Sequence, residues 1–115
     1  MMIELLTTIR YLSLIAEAAA GNTYHGSPEP MNMLKIAEKA SDRIEHLVSD
    51  ELDTRVPQER RRAFIRDNLE WIEAVLAGPD ASLLRTPLPY TIPPLDDVRR
   101  LLIATAVPSN ESAST

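Results

Sequence analysis

An apolar stretch from residue 2 to residue 20 constrains the fold of this chain more than any other feature of its sequence. On a helix at about 100° per residue, one face is formed by Leu5, Ile9, Leu12, Ala16 and Ala20. Apolar side chains also cover most of the other faces, namely Ile3, Tyr11, Leu14, Ile15 and Ala18. A helix on the surface of a small monomer keeps a broad polar face. The sequence therefore predicts a helix covered on two sides, within its own domain or against another subunit.

Three amphipathic helices are predicted after this first one, which is expected to end at Gly21 because glycine favours the position after a helix. Apolar residues spaced by three and four predict a second helix over residues 31–52. Pro57 is expected to open a third helix, and Gly78 with Pro79 to end it. The predicted inner stripe of the third helix is Ile65, Leu69, Ile72 and Leu76. A last helix is predicted over residues 95–106, with Val98, Leu101 and Leu102 facing inward.

Residues 79–94 hold five of the nine prolines together with several large apolar side chains. A solvated linker would not carry so much apolar surface, so this segment is predicted to be an extended strap lying across the helices. The predicted fold class is thus all-α: a small bundle of about four helices with a proline-rich extended strap between helices 3 and 4. One domain is expected over residues 1–108, followed by a polar tail over 109–115.

Charge and composition exclude several classes of protein. The chain of 115 residues is acidic, with a formal net charge of −5, so a nucleic-acid partner is not expected. It has no cysteine, which excludes disulfides and thiolate metal sites. Glu4 replaces the basic cluster of a signal peptide, and Arg10 interrupts the apolar run, so neither a signal peptide nor a membrane span is predicted. We therefore expect a cytoplasmic location.

Candidate ligand-binding residues lie in the first loop and at the start of the third helix. Tyr24 and His25 sit in a predicted loop, and histidine titrates near neutral pH. Arg60, Arg62 and Arg66 belong to the densest positive cluster, which could bind a phosphate group. Only Arg62 and Arg66 share a helical face, however, so surface ion pairing is the competing interpretation.

Three carboxylates on the second helix have the spacing of a metal site. Glu38, Asp42 and Glu45 form one stripe, as in bundle metalloenzymes. The stripe is predicted to point away from the apolar face, and Lys35 and Lys39 are close enough to offset its charge. We therefore expect a solvated face with no metal, and no other cofactor is indicated.

The only tryptophan and the only phenylalanine stand seven residues apart on the third helix. Phe64 and Trp71 widen its apolar arc beyond what one core contact needs. They could pack under the strap, or they could anchor an interface, where tryptophan is enriched. Leu14 and Ile15 of the first helix are the other predicted interface residues.

These observations favour a non-enzymatic, self-associating helical protein that acts by binding another macromolecule, which we expect to be a protein. The expected assembly is a dimer or a higher closed oligomer. One alternative is an oligomeric module that sequesters a small phosphorylated ligand such as a nucleotide through Tyr24, His25 and the arginines. Another is a small helical-bundle enzyme, although the sequence has no nucleophile motif and no glycine-rich phosphate loop.

Overall fold

The computed structural model describes residues 2–24, 30–79, 81–85 and 92–106. Within these ranges the regular elements are five helices: α1 (Met2–Tyr24), α2 (Pro30–Leu52), α3 (Gln58–Ala77), α4 (Ala81–Leu84) and α5 (Leu95–Ala106). The predicted all-α bundle is confirmed, and the predicted bounds of the second, third and last helices agree with the structure to within one residue. The polar tail over 109–115 lies outside the described residues.

Helices α1 and α2 form the most extensive packing contact of the bundle. Leu5 of α1 and Leu47 of α2 line the same small cavity, so the start of α1 lies beside the end of α2. The two helices therefore run antiparallel, as expected for neighbours joined by a short connection. Phe64 and Ile65, near the start of α3, line the same cavity, which places the start of α3 at this end too.

The buried stripe of α1 differs from the predicted one. Its buried residues recur at alternating steps of three and four, and they are Leu5, Thr8, Leu12, Ile15, Ala19 and Asn22. Ile9 is only half-buried, and Ala20 is exposed. The prediction that Ile15 points away from the core is therefore wrong. Two of the six buried positions are polar, and this hid the stripe from an apolar pattern.

Gly21 does not end α1, which continues to Tyr24. The predicted helix stop is wrong because Asn22 holds the last turn in place. The Nδ2 atom of Asn22 donates to the carbonyl of Ala18 at 2.9 Å and to the carbonyl of Leu83, in α4, at 2.7 Å. This buried side chain thus joins the end of α1 to the segment that follows α3.

Helix α3 lies against α5 on one side and also contacts α1 and α2. The predicted inner stripe is confirmed, since Ile65, Leu69, Ile72 and Leu76 are all buried. Gly78 caps the helix by donating its N–H to the carbonyl of Val75, as predicted for its end. The Nε atom of Arg99 on α5 donates to Glu73 at 3.0 Å and links the two helices.

Part of the predicted strap is helical. Residues 81–84 form the single turn α4, and Leu84 is buried in the core. Ile92 and Pro93 are also buried. Residue 80 and residues 86–91 lie outside the described residues, so the extended strap stays a prediction for that stretch. The buried residues at both of its ends show that the segment between α3 and α5 contributes to the core.

The connection between α2 and α3 is held by arginines. The Nη2 atom of Arg61 donates to the carbonyl of Asp53 at 2.7 Å, and its Nη1 atom lies 3.4 Å from Glu51. Arg55 binds both carboxylate oxygens of Asp53, each at 3.0 Å. These bonds fix the turn that reverses the chain between the two helices.

Candidate functional site

The structure describes only part of the predicted ligand site. His25 and the side chain of Tyr24 lie outside the described residues. The backbone of α1 nevertheless places Tyr24 at the opposite end of the helix from Leu5, about 30 Å away at 1.5 Å per residue. Ile65 lines a cavity with Leu5, so Arg62 and Arg66 belong to the Leu5 end. The backbone of Tyr24 and the Arg62–Arg66 side of α3 therefore lie far apart along the bundle.

The three predicted arginines also differ from one another in their surroundings. Arg60 is exposed, whereas Arg62 and Arg66 are half-buried. Arg62 interacts electrostatically with Glu4 of α1. The Nε atom of Arg66 is buried and makes no hydrogen bond within the described part of the chain. The structure thus brings Arg62 and Arg66 to one side of α3 and leaves Arg60 apart from them.

The acidic stripe of α2 faces solvent, as the sequence predicts. Glu38, Asp42 and Glu45 are exposed. Among the described residues, no group of three or more His, Cys, Asp or Glu side chains could hold a metal ion.

The predicted interface residues fall into two groups. Ile15 is 0% exposed within a single chain, so a single chain in this conformation presents no Ile15 surface to a partner. Leu14 and Phe64 are half-buried and pack against the core. Phe64 lines a cavity with Leu5 and Leu47, which places it against α1 and α2.

Trp71 is half-buried and belongs to a polar cluster between α2 and α3. Arg43 of α2 lies over its ring, with the guanidinium carbon 5.1 Å from the ring centroid. The Nη1 atom of Arg43 also donates to Asn68 at 3.1 Å and to Asp67 at 3.2 Å. Asn68 is fully buried, and its Nδ2 atom donates to the carbonyl of Phe64 at 2.8 Å. Arg43 and Asn68 therefore fix how α2 sits on α3.

A groove of about 370 Å³ continues from Trp71 between α2 and the end of α3. It is open to solvent, and its lining residues are Lys35, Ile36, Lys39, Trp71, Ala74, Val75, Gly78 and Pro79. We call it the lysine groove, because Lys35 and Lys39 are the only two lysines in the sequence. Among its described lining residues, these two carry the only charges.

A second groove, of about 430 Å³, lies between α1 and α5. Its lining includes Tyr11, Asp97 and Arg100. Burial raises the pKa of the Tyr11 phenol, and the negative charge of Asp97 raises it further. The phenol is therefore a neutral hydroxyl at physiological pH and adds no charge to this groove.

Large apolar side chains remain exposed where α1 begins and α2 ends. Ile3 is 76% exposed, Leu6 57% and Leu52 78%, and Met2 and Val48 are also exposed. Leu5 and Leu47, which precede Leu6 and Val48 in the chain, line one cavity, so these residues belong to the same end of the bundle. We call Met2, Ile3, Leu6, Val48 and Leu52 the apolar end.

Several of these functional candidates were missing from the sequence predictions. The sequence analysis assigns Lys35 and Lys39 only the role of offsetting the acidic stripe. Their spacing of four nevertheless indicates two positive charges on one helical face, beside the apolar Ile36. Arg43 and Asn68 carry no sequence signal, because their contact depends on how two helices are rotated against each other.

Within the described residues, no helix is long and apolar enough to cross a lipid bilayer. Comparison of the chain with protein-family models, with curated protein sequences and with solved structures finds no match. The candidate surfaces therefore rest on their own geometry and chemistry.

Proposed function

We propose that this protein is a non-enzymatic, self-associating helical protein that binds another macromolecule, and that the apolar end is its self-association surface. The observation that carries this proposal is the exposure of Ile3, Leu6 and Leu52, three large aliphatic side chains, at one end of the α1–α2 pair. The non-enzymatic part rests on the sequence, which has neither a nucleophile motif nor a glycine-rich phosphate loop. The cytoplasmic location stays a prediction.

Burial of the apolar end would be a strong driving force for association. Each large aliphatic side chain contributes roughly 1.5–3 kcal/mol when it is transferred fully from water. Soluble monomers rarely keep such side chains together at the surface. In a twofold dimer the same patch lies on both subunits, so one self-complementary contact covers both copies.

The proposal keeps the predicted dimer or closed oligomer but changes its surface. Ile15 belongs to the core, and the α1 residues that remain exposed are nearer the start of the helix. Five apolar residues of α1 were predicted to lie off its main apolar face: Ile3, Tyr11, Leu14, Ile15 and Ala18. Of these, Ile3 is the one that is more than half exposed. A charge at position 15 would be buried in the core, whereas charges at positions 3 and 6 stay mainly exposed to solvent in a single chain.

The test is sedimentation velocity over a range of protein concentrations. We expect the wild-type chain to sediment as a dimer or a larger closed species at tens of micromolar. The double variant Ile3→Glu with Leu6→Lys keeps the net charge, and it should sediment as a monomer with unchanged helical circular dichroism. The change acts by placing two charges in the contact, where their desolvation is unfavourable.

The matched control is Ile103→Lys with Ala104→Glu on α5. Ile103 is 69% exposed but lies on a different helix, and this pair also keeps the net charge. It should associate like the wild type. A wild-type monomer at tens of micromolar would overturn the proposal, and so would equal dissociation of the control.

A further inference from the structure

We infer that the lysine groove binds an acidic amphipathic helix of a partner protein. This surface is distinct from the apolar end, so the inference does not depend on self-association. The first argument is the composition of the lining. Ile36, Trp71 and Val75 supply apolar surface, and Lys35 and Lys39 supply two positive charges. No carboxylate is among the described lining residues, although the chain as a whole has a net charge of −5.

The spacing of the two lysines specifies the shape of the occupant. Lys35 and Lys39 are four residues apart on α2, so they stand one helical turn apart on the same side of the groove. Carboxylates four residues apart on a docked helix have the same spacing. A helix with one acidic edge and one apolar stripe therefore matches both the charges and the apolar surface.

The groove has room near the end of α3 because two of its lining residues there, Ala74 and Gly78, are small. Ala74 is exposed, and Gly78 follows it by one helical turn. An added Cβ atom at Gly78 would make a tight contact, 3.0 Å, with the carbonyl oxygen of Ala74. A larger side chain at position 74 would fill the groove without disturbing the core.

Trp71 is suited to anchor such a helix. Arg43 lies over its ring on one side, at 5.1 Å, and is itself held by Asn68 and Asp67. The indole is therefore fixed before a partner arrives, which reduces the entropy lost on binding. Tryptophan in such a setting is the residue type most often found at binding hot spots.

The experiment uses Trp71, the only tryptophan of the chain, as the reporter. The probes are two synthetic helical peptides without tryptophan that share one leucine stripe, with glutamates flanking it in one and lysines in the other. We expect the glutamate peptide to change the Trp71 emission saturably and to bind more weakly as salt is raised. The lysine peptide should leave the emission unchanged.

Two variants of the groove should abolish this response. Lys35→Glu with Lys39→Glu should weaken binding of the glutamate peptide by about tenfold or more, because attraction becomes repulsion. Ala74→Leu should weaken it comparably by filling the groove. The matched control is Arg10→Glu with Arg60→Glu, which makes the same change of net charge at exposed positions outside the groove and should bind within about twofold of the wild type.

Four results would overturn the inference. They are the absence of any saturable response to the glutamate peptide, equal binding of the lysine peptide, equal weakening by the arginine control, and a response to ATP or inorganic phosphate as large as that to the peptide. The last result would assign the groove to a small anion. Sedimentation of the Lys35→Glu and Lys39→Glu variant separates this inference from the proposed function, since its self-association should be unchanged.

Discussion

Helix α2 contacts α1 and α3 through different kinds of side chains. Helices α1 and α2 bury mainly aliphatic side chains, among them Leu12 and Ile15 on α1 and Met33 and Ala40 on α2, all fully buried. Thr8, a buried polar residue of α1, donates to the carbonyl of Glu4 in its own helix. Between α2 and α3, by contrast, Arg43 binds side chains of the other helix directly.

The two contacts therefore have different roles: one supplies stability, and the other sets the relative position of two helices. Aliphatic burial is nondirectional and scales with the area removed from water, so the α1–α2 contact supplies stability. Hydrogen bonds to Asn68 and a cation–π contact with Trp71 are satisfied in only one register, so the α2–α3 contact sets the relative position of the helices. The lysine groove depends on that position, because both of these helices line it.

The largest effect is expected from Leu12→Ala in the α1–α2 contact. Leu12 is fully buried, so the loss of its side chain leaves a cavity and should lower the free energy of unfolding by about 2–5 kcal/mol. Urea denaturation followed by circular dichroism measures this change. Ile3→Ala on the same helix, at a mainly exposed position, should change stability by less than about 1 kcal/mol. Similar losses in both variants would contradict the assigned faces of α1.

Asn68→Ala should have the next largest effect, with a different signature. It removes the Arg43 acceptor and the donor to Phe64, and should cost about 1–3 kcal/mol of stability. The Trp71 emission should also change, because Arg43 loses one of its two anchors. Thr8→Val is the matched control, since Thr8 is equally buried but bonds only within its helix. An unchanged Trp71 spectrum in Asn68→Ala would contradict the role of Arg43 and Asn68 in positioning α2 on α3.

Gly21→Ala tests the end of α1 by the sign of its effect. Gly21 lies inside the helix, and an added Cβ atom would meet nothing within 4 Å. Alanine should therefore raise stability by about 0.5–1 kcal/mol, because glycine loses more conformational entropy in a helix. Had Gly21 been a left-handed helix stop, alanine would lower stability. Thermal unfolding distinguishes the two signs.

The smallest effect is expected in the connection between α2 and α3, at the ion pair of Asp53 and Arg55. The hydrogen bonds from the Arg55 side chain, and then from its backbone N–H, lower the pKa of Asp53 below its usual 3.8. Because the folded pKa is the lower one, the stabilisation is present above pH 3.8 and is lost as the pH falls through the folded pKa. Arg55→Ala removes the side-chain bonds but keeps the backbone N–H that donates to Asp53, so it should reduce this acid-dependent component. Urea denaturation of both proteins from pH 5 to about pH 2 measures the difference.

The sequence was sufficient for the helices whose buried stripes are purely apolar. The inner stripe of α3 and the position of Val98 on α5 were predicted because burial and apolar character coincide there. The same reasoning failed on α1, because Thr8 and Asn22 are polar and buried. Ile9 and Ala16 were more apolar choices for the same face, and selecting them rotated the predicted face by roughly 70° at 100° per residue.

The candidate surfaces were less accessible to sequence reasoning. Trp71 was identified as an interface or core residue, but its partner Arg43 lies 28 positions earlier on another helix. Which polar residues meet across two helices depends on rotation and axial offset, which hydrophobic periodicity does not fix. Whether Leu6 and Leu52 are exposed likewise depends on which helix ends pack next to them, and hydrophobic periodicity does not fix this packing.

The hydrogen bond from Asn22 to Leu83 has a consequence for how the chain comes apart. It joins two residues 61 positions apart, at the point where α1 ends and α4 lies. A single helical turn such as α4 is unstable in isolation, so α4 stays helical only while it is docked. The last turn of α1 and α4 therefore form one local unfolding unit, which opens while the two long contacts of α2 stay closed.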